Sequence, residues 1–144
     1  HRLCLNLAKQ IVVDGEGASK FITINVIGAR SQSMAKSVGF SIANSPLFKT
    51  AMGAGDPNWG RIIMACGKSG ENIIANKIKL KIGDFLIAEG GKVAKDYNEK
   101  DVKEYMKWSS INIEVNLNIG SAAYKVYTCD FTHDYIDINA NYRN

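Results

Sequence analysis

Residues 111–118 read INIEVNLN, an alternation without a fault. Ile111, Ile113, Val115 and Leu117 take one side, and Asn112, Glu114, Asn116 and Asn118 the other. A period of two places one row of side chains in a core and the other toward solvent, so this is a half-buried strand. Residues 21–27, FITINVI, repeat the pattern with Ile22, Ile24 and Val26 against Thr23 and Asn25.

Helical periodicity lies around these strands. Leu3, Leu7 and Ile11 recur at four-residue spacing, so the chain opens inside or just before a helix over about residues 2–12, as expected of a fragment or a processed product. Residues 31–44 set Met34, Val38 and Ile42 on one stripe with Ser31 as N-cap. Pro46, Gly53 and Gly55 predict an irregular segment, ended by Asp56 as N-cap and Pro57 at the first position of a further helix. Trp59, Ile62, Ile63 and Cys66 form its core-facing stripe, and Gly67 fits the stop.

Short strands are expected at 77–82 and 85–88, then a helix over 99–108 capped by Asn98, with Val102, Tyr105 and Met106 on its apolar side. AAYKVYTC, ending at Cys129, reads as a partner strand, and DYIDINANYRN as a final extended segment. Helices mixed with hairpin-like strands predict an α/β (α+β) fold, a layered mixed sheet with packed helices.

Composition narrows the function classes. The 144 residues make about one domain, with 46% hydrophobic and 22% charged residues, an ordinary globular balance. No window approaches the roughly 18 consecutive apolar residues of a membrane span, and no signal-peptide pattern is present. The three cysteines, Cys4, Cys66 and Cys129, form an odd set without C-x-x-C spacing, which argues against a disulfide framework or zinc and suits small apolar core positions in a reducing compartment. The net charge of +4 is mild. Its lysines (Lys77, Lys79 and Lys81; Lys100, Lys103 and Lys107) lack interleaved aromatics, so they read as solvated faces and not as a nucleic-acid surface.

Self-contained catalytic motifs are missing: there is no G-x-S-x-G elbow, P-loop or H-E-x-x-H, and His1 and His133 lack metal-ligand spacing. His133 reads as a surface histidine or a general base. Asp14-Gly15-Glu16-Gly17 is either an acidic turn or a carboxylate that flanking glycines bring close to an ammonium group. GAGDPNWGRI is either a capped helix start with a buried tryptophan or an anion cradle, which Asp56 disfavours. The tail from Cys129, rich in Asn, Asp and Tyr, is either frayed or folded back to line a polar pocket, where Asn139 can donate and accept.

LAKQIVVDGEGASK, SPLFKTA, GAGDPNWGRI and CDFTHDYIDINANYRN, in that order, resemble the motifs of the bifunctional ornithine acetyltransferase/glutamate N-acetyltransferase (ArgJ) family of arginine biosynthesis. The resemblance spans essentially the whole chain. It implies the C-terminal part of the β-chain, as one compact unit over 1–144, with the layered fold shared with the self-processing aminopeptidase DmpA group. It further implies a precursor that cuts itself before a threonine. That threonine then carries the acetyl group from N-acetylornithine to glutamate, and in some members takes it from acetyl-CoA. No metal or bound cofactor is implied.

The family's threonine nucleophile and oxyanion-hole residues have no match in this sequence, so the resemblance implies a chain without catalytic residues of its own, inactive alone. Glu16 matches a substrate-binding glutamate and Asn139 a substrate-binding asparagine. Asn144 stands where the family usually ends in a substrate-binding threonine; Ser19 and Phe48 depart from threonine and valine. Implied partners are the α-chain and the rest of the β-chain in an α2β2 assembly, with N-acetylornithine, glutamate, ornithine and acetyl-CoA as small molecules, no nucleic acid, no membrane and a cytoplasmic setting. The competing expectations are a non-catalytic amino-acid-binding or assembly module, and a relative among the self-processing aminopeptidases.

Overall fold

The computed structural model describes residues 2–141, so Asn144 lies outside the described residues. The elements in order are helix α1 (Arg2–Val13), strand β1 (Phe21–Ala29), helices α2 (Gln32–Ala43), α3 (Pro46–Gly53) and α4 (Trp59–Gly67), and strands β2 (Lys79–Ile82), β3 (Phe85–Glu89) and β4 (Lys92–Val93). Helix α5 (Glu99–Tyr105), strands β5 (Ser110–Asn116) and β6 (Ala122–Cys129) and helix α6 (His133–Ala140) complete it, and a short 3-10 turn (Ala75–Lys77) precedes β2.

The strands form one mixed sheet in the order β4-β3-β2-β5-β1-β6. β1 pairs in parallel with β5, Ile22 beside Ile111 and Ile24 beside Ile113, and antiparallel with β6. The partner strand expected after Gly120 therefore pairs with β1, which lies between β5 and β6. A parallel pair cannot be closed by a tight hairpin, and here α2, α3, α4, the β2–β3–β4 meander and α5 fill the connection.

The two alternating rows land where their period requires. Ile22, Ile24, Val26, Ile111, Ile113 and Val115 are fully buried, packed beneath α2 and α4 through Val38, Ile42, Ile62 and Cys66. Burying each large aliphatic side chain contributes about 1.5–3 kcal/mol, so this layer dominates stability. α2 comes close enough to β6 that a Cβ on Gly39 would lie 2.7 Å from Val126 Cγ2. The opposite face is half-exposed: Phe21 stacks on Tyr127 at 5.6 Å, and α1 reaches it through Lys9, whose ammonium sits 4.9 Å above the Tyr127 ring.

Caps explain several boundaries. Ser31 accepts from Met34 N at 3.1 Å and Asn98 from Lys100 N at 3.1 Å, as expected. The segment predicted as irregular contains α3, because Ser45 accepts from Phe48 N and Pro46 occupies the first helical turn. α4 begins later than predicted: Asn58 is its N-cap, accepting from Arg61 N at 3.3 Å, while Asp56 accepts from Asn58 Nδ2. Gly67 is the last helical residue and Lys68 the cap.

The tail expected to be extended is helix α6 up to Ala140. Asn139 Nδ2 donates to Tyr135 O and Asn141 Nδ2 to Asp137 O, turning the asparagines' backbone-bonding habit to the helix's use. Lys79 and Lys81 pair with Glu89 and Glu114 on the exposed side of the sheet, worth little each. No helix of the described residues is long and apolar enough to cross a membrane.

Only one cysteine fits the core expectation fully. Cys66 is buried, Cys129 half-buried and Cys4 exposed. Burial pushes the Cys66 thiol from the ordinary 9.0 up to about 12. The folded chain therefore holds this proton where the unfolded chain has released it. The contribution to stability is intact below pH 9.0 and fades as pH rises toward about 12. Iodoacetamide at neutral pH should label Cys4 and spare Cys66 until denaturant is added; equal native labelling of the two, read by mass spectrometry, would contradict this packing.

Candidate functional site

The site starts where α1 stops. Asp14 N donates to Gln10 O at 2.9 Å, closing the last helical turn, and Ala18 N donates to Gly15 O at 3.0 Å, so Glu16 and Gly17 form the tip of a tight turn. Gly17 has φ +66°, a conformation that penalises any side chain. A Cβ there would also lie 2.5 Å from Tyr135 N. The turn thus rests directly on the first turn of α6, where Thr132 Oγ1 donates to Gly17 O.

Contact with α6 brings two sequence-selected residues together. Asn139 Nδ2 donates to Glu16 Oε2 at 3.0 Å while also donating to Tyr135 O at 2.8 Å. Both side chains are exposed, and Glu16 makes no ion pair among the described residues. Asn139 Oδ1 has no donor among those residues either, so a carboxylate and an amide oxygen are presented side by side. That pair of acceptors is suited to an ammonium group. Asn144, the third candidate, lies outside the described residues.

What positions the turn is a residue the sequence reading assigned no role. Asp130 follows the end of β6 and is 1% exposed. Its Oδ1 accepts from Ser19 N and Lys20 N, both at 2.8 Å, and its Oδ2 from Ser19 Oγ at 2.5 Å. Three donors satisfy a buried carboxylate that would otherwise be costly. Lys20 Nζ in turn donates to Met52 O and Gly53 O at 2.6 and 3.1 Å, capping the carbonyl end of α3 where a cation is favoured.

The start of α6 is fixed from the same region. Phe131 N donates to Lys49 O at 3.1 Å, Lys49 Nζ sits 4.0 Å from the Phe131 ring, and Phe131 stacks on Tyr135 at 4.6 Å. The turn carrying Glu16 and the helix carrying Asn139 are therefore tied to one anchor from both sides. His133 is the exposed first residue of α6.

The GAGDPNWGRI stretch takes its capped-helix reading. Asn58 satisfies the first turn of α4, and Trp59 packs half-buried against the core. No group of three or more His, Cys, Asp or Glu side chains among the described residues could hold a metal ion.

Comparison with known proteins gives the family and the fold. The chain matches the ArgJ family over residues 1–144. It is 50% identical over 140 residues to the arginine biosynthesis bifunctional protein ArgJ of Ruegeria pomeroyi, covering 97% of this chain and 34% of that protein. With the protein of the same name from Zymomonas mobilis it shares 46% identity over 142 residues, 99% of this chain and 35% of the relative. The crystal structure of arginine biosynthesis bifunctional protein ArgJ from Bacillus halodurans superposes with a TM-score of 0.93 at 40% identity, over 97% of this chain and 66% of that one. The chain spans about a third of the length of the curated relatives it matches. A family match across the whole chain, with the same layered sheet in a solved relative, establishes that the chain belongs to the ArgJ family.

Proposed function

We propose that residues 1–144 are the C-terminal region of the β-chain of an acetyltransferase of arginine biosynthesis, and that this region supplies substrate-binding groups. The observation that carries the reading is the hydrogen bond between Asn139 and Glu16, which sets two acceptors beside each other on an exposed face. Glu16 takes the ammonium of ornithine or its acetylated form, Asn139 fixes its orientation, and Asn144 is a third substrate-binding residue.

The reaction proceeds through a threonine supplied by a segment outside this chain. Its hydroxyl attacks the acetyl carbonyl of N-acetylornithine, an acetyl ester forms, and ornithine leaves as the protonated amine. The glutamate amine then attacks the ester, giving N-acetylglutamate and restoring the hydroxyl. Acetyl-CoA serves as a second donor by the same ester. Held at Glu16 through its free ammonium, the substrate keeps its acetamide carbonyl in line for attack.

This activity requires the rest of the precursor, the α-chain and the remainder of the β-chain, in a cytoplasmic α2β2 assembly. Support comes from the relatives' length, about two thirds of which lies outside this chain, and from the apolar residues left uncovered. Leu3 and Ile11 on α1 are 71% and 75% exposed, and Ile136 on α6 is 59% exposed. Exposed large apolar side chains of this kind mark interaction surfaces more readily than solvated ones.

His1–Asn144 alone should release no ornithine from N-acetylornithine, and co-expression with the upstream segment should restore acetyl exchange; an active isolated chain would refute the reading. In the complete protein, Glu16→Gln keeps the acceptor for Asn139 but removes the charge. The loss of about 1.5–3 kcal/mol should lower kcat/KM roughly ten- to a hundred-fold. Kinetics within twofold of wild type would sink the assignment of Glu16.

A further inference from the structure

Against the first turn of α6 lies a cavity of about 630 Å³, whose walls include Thr50, Arg61, Phe131, His133, Tyr135 and Ile136 and not Glu16. We propose that it is a binding site for an oxyanion, borne by a carboxylate or a phosphate, with Arg61 as its cation. The volume lies within the range of small-molecule pockets. Phe131 and Tyr135, stacked at 4.6 Å, give it a flat apolar wall.

The guanidinium is held and yet unspent. Arg61 Nη1 donates to Leu47 O at 2.9 Å and to Thr50 Oγ1 at 3.2 Å, which fixes the group against α3. Among the described residues its Nε and Nη2 have no acceptor and the side chain has no ion pair, although Arg61 is half-buried. An arginine has five N–H donors in a rigid fork that matches a planar carboxylate or a phosphate face. Among the described residues no Asp or Glu lines the cavity to answer that charge. Lys49, whose ammonium sits 4.0 Å from the Phe131 ring, adds positive potential behind the wall.

α6 thus contributes to two sites of opposite demand. Its Tyr135 carbonyl holds Asn139 on the carboxylate side, while the Tyr135 side chain lines the cationic side. The proposal deepens the acetyl-transfer reading and rests on it for the two sources of the anion: the carboxylate of an acidic amino-acid substrate, or the phosphate of a nucleotide-type acyl carrier.

The test uses the complete protein and needs no turnover. Phenylglyoxal modifies accessible arginines, and mass spectrometry of the Arg61 peptide follows its rate, with exposed Arg30 as the internal reference. Glutarate, inorganic phosphate or both should slow modification of Arg61 at least fivefold and leave Arg30 unchanged. Protection by glutarate alone assigns a carboxylate, by phosphate alone a phosphate, and by both a site that accepts either.

Failure of both anions to protect, or an Arg61 that never reacts because another segment fills the cavity, overturns the proposal. As a second measurement, Arg61→Ala should raise KM for the acidic substrate or the acyl carrier about tenfold with a smaller change in kcat, and Arg61→Lys should lie between. Equal KM values in all three proteins would overturn it as well. A protein that shows protection of Arg61 but no acetyl exchange keeps this site and loses the acetyl-transfer reading.

Discussion

A single buried carboxylate organises the candidate site of this molecule. Asp130 sits where the last strand ends, 1% exposed, and takes hydrogen bonds from two consecutive backbone amides and one hydroxyl in the turn after α1. Burying a charge is costly unless it is fully answered, and here three donors answer it. Leaving Ser19 N and Lys20 N without their acceptor would cost on the order of 3 kcal/mol. That asymmetry makes the position of the Glu16 turn a consequence of folding and not a loop's choice.

The sheet supplies the rigidity behind the anchor. β1 begins directly after Lys20 and lies between β5 and β6, so the turn and Asp130 leave the sheet side by side, from adjacent antiparallel strands. Phe21 stands opposite Cys129 in that ladder, which places the strand ends within reach of each other. From there Lys20 reaches the end of α3, and Thr132 and Gly17 seat the turn on α6. The substrate-binding reading depends on this chain of short contacts. Displace the anchor, and Glu16 and Asn139 lose their common frame.

Much of the fold was legible in the sequence because its signals were local. The alternation of Ile111 to Leu117 and the Ser31 and Asn98 caps are written within a few residues. α3 was hidden because Gly53 and Gly55 read as loop, although Ser45-Pro46 is a helix start. α6 was hidden for a different reason. Ile136, Ile138 and Ala140 alternate with Asp137 and Asn139, a strand's period, and Asn and Asp are poor helix formers. Neither period met a core, and Ile136 and Ile138 stay exposed, so packing within the chain gave no clue to settle it. Glu16 could be singled out from its glycines, and Asn139 from the amide chemistry of the polar tail and from the family motif. Asp130 could not, since its partners lie 110 and 111 residues away and no local spacing encodes such a contact.

The role of the anchor can be read amide by amide. Hydrogen exchange of Ser19 and Lys20, compared between the wild-type chain and Asp130→Ala under conditions where the sheet amides of both remain protected, isolates the contact from global unfolding. This account predicts that both amides lose most of their protection and that the Glu16 turn becomes mobile while β1 and β5 stay slow. Unchanged exchange at Ser19 and Lys20 would show that something other than Asp130 holds the turn, and would contradict the account at its base.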